Sequence, residues 1–358
     1  MERSDSNTKN ECSTTKNECS TMKNEIRVLA VPGDTGGCGH YRVIKPTMTL
    51  QSIGRDITLA PAGKFYYYGQ ERIFTQRLFN PSILEVLKNL KDQTGCSIVC
   101  DCDDLIWTWN GEKLPDYNFC SKKIDCDANR AAMEKLLDQV VDRVTVSTRY
   151  LRIAMRDFTD ESKITHIPNY LSWSDWHFDL NPRVPKEPVF FFAGTSTHVG
   201  SKESGLYGDF GESLVDYLRD KKMMSKGFKP WFLNNCQVVP YSTINQYAQD
   251  FKLQASACTF VIAPLQDNLF NKCKSNLKYL ETAAVGRVCL CQSFEDGPFE
   301  SIAHPYQKIP VDADKQKIDY IVKRALSNYN EILIHQYKKL NEYWLENHIS
   351  EWGDALLK

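Results

Sequence analysis

Residues 262–293 read IAPLQDNLFNKCKSNLKYLETAAVGRVCLCQS, and the rest of the chain is parsed from them. The apolar run 259–263 closes at Pro264, as a strand buried on both faces does. A polar loop follows, carrying Asp267, Asn268, Asn271, Lys272 and Lys274. Ser275 is placed to cap a helix over 275–284, and Gly286 suits its C-terminal stop. Residues 288–291 (VCLC) then form the next strand. Strand, helix and strand in this spacing make a parallel βαβ unit.

The same unit has a chemical reading. Free N–H groups and the helix dipole at its N-terminus attract an anion, and Lys274 adds a full charge beside them. Lys278 and Glu281 lie further along the helix, where a carboxylate can accept hydrogen bonds from ribose hydroxyls. That is a layout for a pyrophosphate and a ribose at the carboxyl end of a parallel strand. The alternative is a capped surface helix whose Lys278 and Glu281 form a solvated pair.

Working outward, the pattern repeats on both sides. Towards the N-terminus, strands are expected at 26–31, 56–59, 97–100, 143–146 and 164–167, with helices at 43–53, 81–90, 128–141 and 149–158. Residues 170–188 lose periodicity and carry Trp173, Trp176, Pro182, Pro185 and Pro188, as a linker does. Strands follow at 189–193, 229–233, 259–263 and 288–291, with a helix at 241–251, and residues 331–358 read as one long terminal helix. The organisation expected is a tail over 1–25, an N-terminal Rossmann-like domain over 26–169, a linker over 170–188, a second Rossmann-like domain over 189–330, and a C-terminal helix over 331–358. With 358 residues, two α/β domains also match the size at which one core stops growing.

Composition narrows the classes. A formal net charge of −1 gives no overall attraction to nucleic acid, so a polyanion would need a local patch. Lysines 221, 222, 226 and 229, and Arg72 with Arg77, are the two local clusters. Residues 8–14 (TKNECST) recur unchanged at 15–21 without apolar heptad positions, so the first 25 residues read as a polar tail. They lack the apolar core of a signal peptide, and no run is long enough to span a bilayer. The 13 cysteines are therefore expected as reduced thiols in a cytoplasm. Cys96, Cys100 and Cys102 lack the paired spacing of a zinc site.

Three further segments carry polar chemistry. GDTGGCGHYRVIKP, residues 33–46, follows the first strand; Gly37 and Gly39 let backbone approach a phosphate, and Arg42 follows. It is not a dinucleotide fingerprint, since Gly36, Gly37 and Gly39 have the wrong spacing. IVCDCDDLIWTW, residues 98–109, ends a strand in Asp101, Asp103 and Asp104; these are candidates for orienting or deprotonating an acceptor hydroxyl, for a metal through Asp101 and Asp103, or simply for an N-cap. GTSTH, residues 194–198, places Ser196 and His198 after the first strand of the second half.

Taken together, these segments resemble group-1 GT-B glycosyltransferases, in particular a phage and bacterial subset, in the family's order from residue 26 to about residue 345. The resemblance implies an α/β fold of two Rossmann-like domains with the C-terminal helix returning to the N-terminal domain, and a nucleotide-sugar as substrate, such as a UDP- or GDP-sugar, with no cofactor, no metal and retention of anomeric configuration. It implies Glu281 on the donor ribose, and Lys274 and Ser275 near the diphosphate, with Gly37, Gly39, Arg42, Ser196, Asn271 and Lys278 also on the donor. Asp103, Asp104 and His198 become the catalytic candidates. Many relatives carry a second Glu where Cys273 stands here, and an Arg after the first C-terminal strand that this chain lacks. A non-catalytic nucleotide-sugar-binding protein is thus an alternative, as is a dinucleotide-dependent enzyme. The phage subset implies duplex DNA with hydroxymethylated cytosine as acceptor and host cytoplasm as location, with a saccharide or protein acceptor as the rival; no membrane partner is expected.

Overall fold

The computed structural model describes residues 26–77, 81–116, 125–178 and 187–358. The duplicated tail and the part of the linker at 179–186 lie outside the described residues. The first half contributes β1 (Val28–Val31), β2 (Ile57–Leu59), β3 (Arg72–Gln76), β4 (Ser97–Cys102), β5 (Arg143–Val146) and β6 (Ile164–His166). The second contributes β7 (Val189–Phe192), β8 (Lys222–Lys226), β9 (Cys236–Val239), β10 (Phe260–Ala263), β11 (Val288–Ser293) and β12 (Lys308–Pro310). They form two six-stranded sheets, ordered β2-β1-β3-β4-β5-β6 and β12-β11-β10-β7-β8-β9. Every strand pairing is parallel.

Strands covered on both faces are apolar on both. Leu29 and Ile73 enter the core on one face of the first sheet, whereas Val28 and Phe74 enter the core on the other. Strand order reverses beside β1 in the first sheet and beside β7 in the second. Ligands of doubly wound sheets collect at such points, outside the carboxyl ends of the strands.

The sequence reading lacked β8, β9 and β12 and the helices Gly211–Leu218 and Lys315–Ser327, and three further differences bear on the architecture. β3 was not expected, because Arg72, Thr75 and Gln76 break the apolar run; all five of its residues are nevertheless buried. Residues 229–233 form an irregular turn between β8 and β9 rather than a strand. Pro230 cannot donate to a ladder, and Phe232 and Leu233 are buried from the turn itself. The terminal helix is broken: Tyr329–Leu340 lies on the second half, and Leu345–Leu357 returns to the first. There Trp352 packs 5.7 Å from Phe74, and Arg72 donates to the Leu356 carbonyl at 2.8 Å. Hydrogen bonds from Leu171 N to Tyr343 O and from Leu345 N to Leu171 O, at 3.0 and 2.9 Å, fasten the crossing strand to this return.

Candidate active site

Between the carboxyl ends of the two sheets lies a cleft of about 630 Å³, walled by the glycine turn and Asp103–Asp104 on one side. Gly194, His198, Lys274, Lys278 and Glu281 wall it on the other. The loop after β10 leads to the helix Leu277–Ala284, whose N-terminus carries no side-chain cap. Ser275, expected as that cap, instead accepts a hydrogen bond from Asn169 across the cleft at 3.0 Å. The cap position belongs to Asn276. Uncapped N–H groups keep the positive end of the dipole available to an anion.

Lys274 reaches Asp104 Oδ1 at 2.7 Å, joining the halves. Burial would lift the Asp104 carboxyl, but Lys274 and Arg77 outweigh it and hold it below the ordinary carboxylate range. Its neighbour Asp103 goes the other way: burial, aided by Asp104 and Asp101, raises it despite Arg77. Two adjacent carboxyls with pKa values driven apart suit one fixed anion and one group able to exchange a proton. Arg77 bonds Asp103 at 2.8 Å, Asp104 at 3.0 Å and the Cys38 thiol at 2.8 Å. Cys38, Asp103 and Asp104 stand close enough to share a cation, with ligand atoms within 4.8 Å. The Arg77 guanidinium already lies among them and Lys274 beside them, so their charge is balanced by protein. Sequence reading missed Arg77 as a site residue; it follows a strand that the pattern did not reveal.

Further along the helix, Glu281 is buried. Tyr41 donates to its Oε1 at 2.9 Å; Tyr247 and Lys278 donate to its Oε2 at 3.1 and 2.6 Å. The solvated Lys278–Glu281 pair of the alternative reading is thus a buried network, and a ribose hydroxyl would have to enter it by displacing a tyrosine. Tyr41 arrives there because the helix after the glycine turn starts early and unevenly. Gly37–Gly39 is α-helical, His40–Ile44 is a π-turn, and Lys45–Ser52 resumes the α-helix. Such π-turns re-aim side chains at functional sites.

Several expected donor contacts are placed otherwise. Arg42 is fully buried, bonded to Asp101 at 2.7 Å and to Asn169 at 3.2 Å, with its guanidinium 4.8 Å from the Trp352 ring centre. It ties the first sheet to the returning helix and has no free face for a ligand. Asp101, bound by Arg42 and by Thr145 at 2.6 Å, is likewise consumed, which removes it from a metal-binding pair with Asp103. Gly37 borders the cleft, with nothing within 4 Å of where a Cβ would stand. Gly39 is needed for packing instead, since a Cβ there would meet the Asp34 carbonyl at 2.0 Å. Thr195 and Thr197 line the cleft, whereas Ser196 between them does not. Asn271 is buried and serves His198 indirectly. Its Nδ2 donates to Asp209 Oδ1 at 2.6 Å, while Asp209 Oδ2 lies 2.7 Å from His198 Nδ1. Asp209 fixes the imidazole and leaves its Nε2 edge for the cleft. Nothing in the sequence near Asp209 signalled this role.

Of the two basic clusters, little remains for phosphates. Lys222 pairs with Glu187, Lys229 donates to Asn234 O at 3.0 Å, Lys221 lies over the Tyr217 ring, and Lys226 is buried. Arg72 and Arg77 are occupied as described.

No protein-family model and no curated protein matches the chain. Solved structures do. Sucrose-phosphate synthase from Thermosynechococcus elongatus aligns with a TM-score of 0.60 at 12% identity, covering 92% of this chain and 98% of that one. Anabaena HepE, crystallised with UDP and glucose, aligns at 0.60 with 9% identity, covering 92% and 99%. A mutant of T4 phage BGT, crystallised with UDP-glucose, aligns at 0.53 with 14% identity, covering 92% and 97%. The fold is GT-B: two Rossmann-like halves with a C-terminal helix crossing back to the first. No helix among the described residues is long and apolar enough to cross a membrane.

Proposed function

We propose that the protein is a glycosyltransferase that moves a sugar from a nucleotide-sugar, such as a UDP- or GDP-sugar, onto a hydroxyl acceptor. One observation carries the reading. Lys274, Lys278 and Glu281 follow one another along an uncapped helix N-terminus, and they face Asp103 and Asp104 across a single cleft. HepE and T4 phage BGT, which share the fold, were crystallised with UDP and UDP-glucose respectively. On this reading the donor lies against the second sheet. Its diphosphate takes Lys274 from Asp104 and meets the helix N-terminus, so the charge that develops on the leaving group is stabilised. Asp104, released at that moment, faces the acceptor side. Asp103, with its raised pKa, is the group suited to hold or pass the acceptor proton. His198 Nε2, oriented by Asp209, lies on the donor side as a hydrogen-bond partner for phosphate or sugar. No step requires a cofactor or a metal ion. Retention of configuration is carried over from the resemblance, and the sugar moved is a hexose or a pentose.

For the acceptor, the reading extends to hydroxymethylated cytosine in duplex DNA, supported by the likeness to T4 phage BGT. Such a base would have to leave the stack to reach the cleft. The engagement of Lys226, Arg72 and Arg77 within the protein favours a second reading, in which the acceptor is a saccharide that needs no phosphate track. Labelled UDP- and GDP-sugars incubated with hydroxymethylated DNA and with an oligosaccharide panel test both. Transfer to either acceptor supports glycosyl transfer and identifies the class. Donor binding with neither transfer nor hydrolysis points to a non-catalytic binding protein; the location proposed is the cytoplasm, that of the host if the chain is phage-encoded.

A further inference from the structure

Resting on the nucleotide-sugar reading, the cleft holds two buried polar groups that have no hydrogen bond among the described residues. Lys226, the last residue of β8, is 3% exposed, and its Nζ makes no hydrogen bond among the described residues. Ser242, after β9, has a buried Oγ in the same condition. Both line the cleft. An ammonium and a hydroxyl buried without partners are costly, so such groups mark a place where a ligand supplies them.

Their position in the cleft follows from their neighbours. Lys274 and the uncapped helix N-terminus lie at one end, Lys278 and Glu281 come next, and Tyr247 spans from Glu281 to Lys226. Tyr247 donates to Glu281 at 3.1 Å, and its ring centre lies 4.2 Å from Lys226 Nζ. A nucleotide with its diphosphate at Lys274 and its ribose near Glu281 therefore brings its base to Lys226 and Ser242. Tyr241 helps to hold this corner, because its ring lies over Gly227, where a Cβ would stand 2.0 Å away. Gly227 also has φ +80°, so a side chain there is excluded twice.

We infer that Lys226 and Ser242 read the edge of the nucleobase and select bases bearing an oxo group beside a ring N–H, as uracil and guanine do. The ammonium has only donors and must meet an acceptor, which the oxo oxygen supplies. The hydroxyl can then accept from the adjacent ring N–H. Cytosine and adenine present the reverse order, an amino group beside an unprotonated ring nitrogen, which sets donor against donor at Lys226. A site built for one hydrogen-bond pattern rejects its opposite strongly, because buried groups are left unpaired. Burial, with Lys278 adding repulsion, pushes the Lys226 ammonium down to about 8, while Glu281 and Asp250 oppose the shift. It is still mostly a cation at neutral pH, and the Tyr247 ring face helps to keep it one.

The test is the affinity of the full chain for UDP, CDP, GDP and ADP, measured calorimetrically with Lys226→Met and Ser242→Ala as comparisons. The wild-type protein should prefer UDP to CDP, or GDP to ADP, by about tenfold or more. Lys226→Met should bring the preferred pair within about threefold, chiefly by weakening the oxo base, and Ser242→Ala should narrow it in part. Equal binding of each oxo and amino pair by wild type overturns the inference while leaving nucleotide binding intact. So does a Lys226→Met variant that weakens all four alike, since that places Lys226 on the phosphates. Binding of none of the four overturns the inference and the nucleotide-sugar reading together.

Discussion

A buried lysine with no hydrogen bond among the described residues should declare itself in the free protein. Lys226 titrates near 8, against an ordinary lysine value near 10.5, so the unfolded chain holds its proton more tightly than the folded one. Below pH 8 the buried charge opposes folding in full. As pH rises from 8 towards 10.5 that opposition is relieved, and this contribution to stability increases. Lys226→Met should therefore stabilise the free protein at pH 7 by about 1–2 kcal/mol, and the gain should fade by pH 10. Paired thermal melts at the two pH values check this, and a variant less stable at pH 7 would show that Lys226 is paired in solution. A gain in stability with a loss of ligand binding is the usual mark of a functional residue. Such residues are hard to read in sequence. Lys226 appeared there as one of a run of surface lysines, because nothing local says that β8 ends beneath Tyr241 and Tyr247. Glu281 and Lys274 stood out in sequence as polar residues on and before a helix that follows a buried strand, and the structure places both in the cleft. The tyrosines that hold Glu281 come from residues 41 and 247, and only the tertiary fold joins them.

At the scale of elements, the helix Leu277–Ala284 matters through what it lacks. Asn276 stands at its cap position and bonds no backbone N–H through its side chain. Replacing it by aspartate places a negative charge beside the positive end of the helix dipole, adding about 0.3–1 kcal/mol of stability. The same carboxylate would occupy the anion site and repel a diphosphate, so nucleotide affinity should fall by about tenfold or more. Denaturant unfolding and nucleotide titration of Asn276→Asp measure the two effects, and unchanged affinity would remove the helix terminus from the donor site. The sequence disclosed β1, β7, β10 and β11 because strands buried on both faces are nearly continuous apolar runs. It hid β3, whose polar Arg72 and Gln76 are buried for tertiary reasons, and β8, which begins and ends in lysine. It also hid the break at residues 341–343, since one apolar stripe runs on through it, although the return of the terminal helix to the first half was expected.

Across the whole molecule, the two halves meet through polar contacts at the cleft and through the returning helix behind it. Asp104 with Lys274, Asn169 with Ser275, and Tyr41 with Glu281 all join first-half to second-half residues, and all lie where a donor would sit. On the proposed reading, the free protein thus holds the groups assigned to the donor with groups of its first half, and a donor would exchange these contacts. Lys274 is the pivot of that exchange. Calorimetric titration of UDP and GDP into wild type and Lys274→Ala tests it most directly. The account predicts micromolar-to-millimolar binding of at least one nucleotide to wild type, weakened about tenfold or more in a variant that melts cooperatively. Equal affinity in the two proteins, or binding of neither nucleotide by wild type, would contradict it.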